Sequence, residues 1–222
     1  MMSQSILMIV GSPRMKRATS FSIASYILEG LEKKEWKTEL VFAHKLYDRP
    51  DELKVLASRM ADYEVIGLSF PLYVDGIPAP LVELLDSVCK YKKKTDSANQ
   101  LVFSCINSGF PEPYHSDVAV KMTAVFAKKF GADFLGGLRI GGGGAVHGMP
   151  IESLKHRSKR LIQALDETIN GLDENRCIPQ SAFELLSEPI LSKKLYLLAA
   201  KYGWGFRARK NGVKDLYARP DE

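Results

Sequence analysis

Hydroxyl, amide and aromatic side chains gather in three short stretches. They are Gly11-Ser12-Pro13-Arg14 through Thr19-Ser20, Pro71-Leu72-Tyr73-Val74, and Asn107-Ser108-Gly109-Phe110-Pro111-Glu112-Pro113. In the first, Ser12, Thr19, Ser20 and Ser22 lead into a segment of helical spacing, which brings hydroxyls and successive backbone N–H groups to a helix N-terminus. That end carries about half a positive charge and unsatisfied N–H donors, so it binds phosphate without a lysine. Arg14, Lys16 and Arg17 add cations at the rim. The second stretch sets a rigid proline beside Tyr73 and backbone amides, able to run along the polar edge of a flat ring. The third offers Asn107 and Ser108 as donors, Gly109 for close backbone approach and Phe110 as a wall. A phosphate cradle with two loops flanking a planar ring is the requirement of flavin mononucleotide (FMN). The first loop is neither a Gly-Lys-Ser/Thr phosphate loop nor Gly-x-Gly-x-x-Gly. Taken alone it also reads as an ordinary capped turn, and Tyr73 as a packing residue.

The elements around these stretches explain why the three belong together. Ser5–Val10 is a continuous apolar run, the pattern of a strand buried on both faces. Residues 19–34 read as a helix capped by Thr19 or Ser20, with Ile23, Ile27, Leu28 and Leu31 on one face. Thr38–Ala43 is a second strand and Asp51–Ala61 a short helix, with Pro50 where a first turn tolerates it. Glu64–Phe70 and Leu101–Ile106 are the third and fourth strands, with a helix from Leu81 between them and a lysine-rich connector over 90–100. Tyr114–Phe130 is a helix, Asp133–Ile140 the fifth strand, and Ile151–Asn170 a long amphipathic helix closed by Gly171. Strand–helix alternation through residue 171 predicts a parallel sheet covered on both faces. Each of the three stretches then lies at a strand's carboxyl end, the edge where such sheets bind ligands.

Residues 1–171 are therefore expected to form the binding domain. Residues 172–222 are expected to be a partly helical extension packed on that core or on a dimer partner. The chain of 222 residues has a net charge of +5, and residues 191–222 alone hold eight Lys/Arg against three Asp/Glu. The body is thus neutral and the tail basic, open to an anionic partner or simply solvated. Leu191, Leu195, Leu197, Leu198 and Trp204 among these lysines make membrane-surface contact the lesser alternative; nucleic acid is not expected as a partner. No apolar run is long enough to span a bilayer. Cys89, Cys105 and Cys177 are odd in number and lack metal-ligand spacing, which points to a reducing cytoplasm and no metal.

Gly-Ser-Pro-Arg, Thr-Ser before a helix, and Pro-Leu-Tyr after the third strand resemble the NADPH-dependent FMN reductase family of the flavodoxin superfamily. Asn-Ser-Gly-Phe-Pro-Glu-Pro and the run Gly141–Gly144 resemble its flavodoxin-family NAD(P)H-dependent oxidoreductases. The likeness covers residues 5–170. It implies an α/β flavodoxin-like three-layer sandwich with strand order 2-1-3-4-5, non-covalent FMN, NADPH or NADH as co-substrate, and a homodimer. It also implies that Ser12, Arg14, Thr19 and Ser20 hold the phosphate. Pro71, Leu72, Tyr73 and Val74 would line one side of the flavin, and Asn107, Ser108 and Gly109 the other. Where many relatives have Gly-Asn before the threonine, this chain has Arg17-Ala18. The change either lowers phosphate affinity or puts the charge of Arg17 in the place of the amide.

No acid–base pair stands out, consistent with chemistry carried by a cofactor. Tyr114 and His115 are the side-chain candidates for catalysis, set against their reading as surface residues; His147 is a further one, and Cys105 reads as a small buried hydrophobe. The leading expectation is an oxidoreductase that passes electrons by a ping-pong cycle to a small acceptor such as a quinone, nitroaromatic or free flavin. Its alternatives are a flavodoxin-type carrier without NAD(P)H turnover and a flavin-binding module whose basic tail meets a partner.

Overall fold

Uninterrupted apolar runs become the centre of the sheet because both of their faces are covered. In a computed structural model, which describes residues 4–91, 100–146, 148–189, 193–213 and 215, β1 (Ser5–Val10) is buried along its whole length. It pairs in parallel with β2 (Lys37–Phe42) on one side and β3 (Val65–Pro71) on the other. The series continues through β4 (Leu101–Asn107) to β5 (Asp133–Ile140), giving the all-parallel order 2-1-3-4-5. The helices are α1 (Thr19–Glu32), α2 (Ala43–Leu46), α3 (Pro50–Met60), α4 (Ala79–Tyr91), α5 (Asp117–Phe130), α6 (Lys159–Asn175), α7 (Gln180–Leu185) and α8 (Lys193–Lys210). This is the flavodoxin-like arrangement implied by the motifs.

Strand alternation sorts the core into two layers. Ile6, Met8 and Val10 point to the side of α1 and α6, where Ile23, Ile27, Leu161, Leu165 and Ile169 meet them. Leu7 and Ile9 point to the other side, against Leu53, Leu56, Leu81, Leu84 and Phe126 of α3, α4 and α5. At mid-sheet, Gly67 leaves room for its neighbours: a Cβ there would sit 2.1 Å from Met8 Sδ and 2.9 Å from Phe103 Cζ.

The chain divides into two units, Met1–Ile190 and Leu191–Glu222. The segment after α6, including α7, belongs to the first: Ala182 and Leu186 are buried in the α1/α6 layer. The second unit contains α8.

Four local readings change. The helix expected over Tyr114–Phe130 opens as a 3-10 turn, Pro113–Ser116, and is α-helical only from Asp117. Gly171 does not close the long helix: α6 runs on to Asn175 and ends at Arg176, which takes the left-handed conformation at φ 54°. Gly171 is instead where the returning chain crosses, and a Cβ would lie 2.6 Å from Cys177 O. The first half of the predicted helix, Ile151–Ser158, is 3-10. Neither Thr19 nor Ser20 caps α1; Ala18 holds the cap position, without a side-chain bond. The lysine-rich connector lies outside the described residues over 92–99.

The end of α6 is locked to the start of β2. Trp36 Nε1 donates to Asp173 Oδ1 at 2.9 Å, Lys34 Nζ reaches Asp173 Oδ2 at 3.1 Å, and the Arg176 guanidinium lies 4.9 Å from the Trp36 ring centre. The Trp36 hydrogen bond, reinforced by Lys34, holds the Asp173 carboxyl below the usual carboxylate range. A carboxylate depressed in the folded state stabilises above its unfolded pKa of about 3.9, and that stabilisation is lost as pH falls through the folded value. Asp173→Asn should therefore be less stable than wild type in urea at neutral pH, and the difference should close as pH falls below about 4.

Candidate functional site

The carboxyl edge of the sheet is drawn together by backbone bonds. Pro71 and Asn107 are register partners, Leu72 N–H donates to Asn107 O at 2.8 Å, and Ser108 N–H donates to Ile140 O at 3.0 Å. The turn after β5 closes onto the third loop through Gly143 N–H to Ser108 O at 2.8 Å and Gly142 N–H to Phe110 O at 2.7 Å. The first loop joins through Gly11 N–H to Ser69 O at 2.9 Å. Four strand ends thus share one edge.

Side chains at the start of α1 stitch that edge to the helix. Ser20 Oγ donates to Asn107 Oδ1 at 2.8 Å, Thr19 Oγ1 donates to Gly143 O at 3.0 Å, and Ser69 Oγ donates to Ser20 O at 2.8 Å. Ser12 Oγ accepts from Arg14 N–H at 3.3 Å, and Ser108 Oγ donates to Phe110 O at 3.0 Å. All of these hydroxyls are buried. The protons of Thr19, Ser20 and Ser69 hold loops to one another, while Ser12 and Ser108 bond within their own loops. An anion is left the N–H groups at the start of α1 ahead of Phe21, whose N–H bonds Ala18 O, and the exposed Arg14, Lys16 and Arg17.

The groups that face outward are different. Tyr73 and Gly76 exchange backbone bonds of 3.1 and 3.0 Å around Val74 and Asp75, whose φ angles are 48° and 58°. Two left-handed residues define a type I′ turn, and a β-branched residue there is strained. Val74 is nonetheless fully exposed, so burial does not compensate it; strain of this kind gathers at binding sites. On the third loop, His115 lies between two rings, 4.6 Å from Phe110 and 4.4 Å from Tyr114. Phe110 and Tyr114 are exposed.

Of the residues singled out in the sequence, Ser12, Thr19, Ser20, Asn107 and Ser108 are buried framework, and Pro71, Leu72 and His115 are half-buried. Arg14, Tyr73, Val74, Gly109 and Tyr114 are open to solvent. His147 lies outside the described residues. Ser69 was missed. Its signal was a lone hydroxyl at the end of the apolar run of β3, which periodicity does not mark. Cys105 is fully buried, and burial pushes its thiol up. Among the described residues, no group of three or more His, Cys, Asp and Glu is placed to hold a metal ion.

The edge fits a planar phosphate ester. Gly109, Gly142 and Gly144 each leave open space where a Cβ would stand, and Tyr73, Phe110 and Tyr114 are exposed on the loops of the same edge. The fold is flavodoxin-like, with its loops gathered at the carboxyl edge of the sheet. A model of the NADPH-dependent FMN reductase family matches residues 4–109, from the approach to β1 into the start of the third loop. No curated protein is similar in sequence.

Among solved structures, an NADH:FMN oxidoreductase in its apo form is similar at TM-score 0.58 and 14% identity, covering 87% of this chain and 98% of that one. An FMN-dependent NADH-azoreductase from Bacillus anthracis, in complex with FMN, gives 0.54 and 13%, covering 76% and 99%. An NAD(P)H:quinone oxidoreductase from Methanothermobacter marburgensis gives 0.52 and 12%, covering 78% and 96%. At these identities the likeness is one of fold.

Ser20→Ala leaves the buried Asn107 Oδ1 without its donor. The expected cost is about 1–3 kcal/mol in urea unfolding, and Asn107→Ala in the Ser20→Ala background should cost less than it does alone.

Proposed function

We propose that the protein is an FMN-dependent NAD(P)H oxidoreductase that reduces a small acceptor such as a quinone, a nitroaromatic or free flavin. The two substrates would use one site in turn, a ping-pong cycle. The observation that carries this reading is the joining of three loops at one sheet edge, with a strained exposed turn on one loop and, on another, the exposed rings of Phe110 and Tyr114 tilted against His115.

In this reading the phosphate end lies at the start of α1. Arg14 supplies charge and the first-turn N–H groups supply direction, while Ser12, Thr19 and Ser20 keep those donors in place. Arg17, exposed beside Ala18, adds charge where an amide side chain is missing. Pro71, Leu72, Tyr73 and Val74 flank the ring on one side, their backbone groups meeting its polar edge. Asn107, Ser108 and Gly109 flank it on the other, Gly109 leaving the space a Cβ would take. The chemistry a bound FMN would supply is hydride acceptance from NAD(P)H and electron return to the acceptor. The chain's task is to orient the reactants and leave one face open. Tyr114 and His115 stand at that face as proton donors to a reduced acceptor.

The proposal extends to a homodimer. Between α4 and α5 runs an apolar groove of about 750 Å³ lined by Ile77, Val82, Val118, Met122 and Val125. Glu83 and Asp86 flank it on α4, and Lys121 and Lys129 on α5. A two-fold axis that sets α4 of one copy on α5 of the other pairs acids with lysines twice, as an isologous contact requires. Gly76 sits beside Met122, so the groove continues to the Tyr73 turn. The cytoplasm is the compartment we assign, since none of the three cysteines is in a disulfide.

Purified protein saturated with FMN and desalted should keep its flavin absorbance and lose it on anaerobic addition of NADPH or NADH. Arg14→Ala should weaken FMN retention about tenfold or more, the loss of one charge-assisted contact. Retained flavin that neither nucleotide bleaches would turn the reading to an electron carrier, and no retained flavin would overturn it. By sedimentation the protein should be a dimer and Val125→Asp a monomer, the buried charge being uncompensated at an apolar contact.

A further inference from the structure

Between Glu188 and Asp215 the chain has no acidic residue and seven Lys/Arg. Six of them, Lys193, Lys194, Lys201, Arg207, Arg209 and Lys210, lie on α8. The same helix exposes five large apolar side chains: Leu197 at 58%, Leu198 at 52%, Tyr202 at 71%, Trp204 at 65% and Phe206 at 71%. At 3.6 residues per turn, Leu197 shares a side with Trp204, and Tyr202 with Phe206. Lys201 lies one turn from Leu197 and from Trp204, and Arg209 one turn from Phe206. Every apolar strip therefore has a long cationic side chain beside it. No helix among the described residues is long and apolar enough to cross a membrane.

We propose that α8 is a surface-binding helix that lies on an anionic lipid bilayer. Trp and Tyr favour the boundary between headgroups and acyl chains, where the ring is buried and its polar edge stays wet. Lys and Arg stems reach from that depth back to lipid phosphates. Interfacial helices usually confine apolar residues to one face, whereas α8 carries them on several sides. Cations interleaved with those side chains let the helix sink between headgroups rather than rest one face upon them. The anionic cytoplasmic leaflet supplies the complementary charge. A nucleic acid would match the charge but leave Leu197 and Leu198 exposed, and a second copy of α8 would set cation against cation. This assignment stands apart from the flavin site.

The test is flotation of the full-length protein with vesicles of phosphatidylcholine alone and of phosphatidylcholine mixed with phosphatidylglycerol. Binding is expected to the mixed vesicles and to weaken sharply at about 1 M salt, where the screening length is about 3 Å. Trp204 emission should shift to the blue with the mixed vesicles, a shift absent in Trp204→Phe because Trp36 is already buried. Lys201→Glu/Arg207→Glu/Arg209→Glu should bind about tenfold or more weakly. Leu197→Ser/Trp204→Ser should also bind more weakly, with its charge intact. Flavin retention, read on the same samples, reports folding independently of the vesicles. Equal binding to both vesicles, no binding to either, or undiminished binding by the charge-reversed protein would each overturn the proposal. So would preferential binding to a DNA oligonucleotide, or a change of oligomeric state on charge reversal in the absence of lipid.

Discussion

A hydroxyl proton shared across the carboxyl edge of the sheet ties the candidate site together: Ser20 Oγ on α1 donates to Asn107 Oδ1 at the end of β4, both buried. A buried amide oxygen deprived of its donor is costly, so the helix N-terminus and the third loop hold each other in register. Ser69 adds a bond from β3 to the Ser20 carbonyl, and Thr19 one to the turn after β5. The first helical turn is thereby anchored to three strand ends. The N–H groups at its start, ahead of Phe21, are held in a fixed direction, which a phosphate-binding role requires.

That anchoring gives the loops a division of labour. Buried hydroxyls set the frame, and groups with little else to bind remain outside it: Arg14, the Tyr73–Gly76 turn, and the rings of Phe110, His115 and Tyr114. The strained turn at Val74 and Asp75 is held by its own pair of backbone bonds. The sheet beneath is rigid because alternate residues of β1 are packed from both sides, with α1 and α6 below and α3 to α5 above.

Charge follows a separate plan from the fold. The body balances its charges, and the excess of cations falls in residues 191–222, beyond the unit that contains the sheet. The same chain thus joins the unit that contains the sheet to a basic, aromatic-rich helix.

Much of this was legible in the residues. Apolar runs marked five strands to within a residue or two, and the three loop motifs marked the edge. Tyr73, Val74 and Gly109 stand in the open as their types suggested. The helix boundaries misread were those decided by contact. Gly171 resembles a helix stop, yet it is glycine because the chain around Cys177 crosses it. Thr19 and Ser20 resemble caps, yet their protons go elsewhere.

The sequence by itself determined the elements, their parallel alternation and the edge at which the motifs collect, because hydrophobic period and turn chemistry are local properties. Only the tertiary structure decided which polar groups remain available. The partner of Ser20 is 87 residues away and that of Thr19 is 124 away, and no local pattern encodes a hydrogen bond made across the sheet.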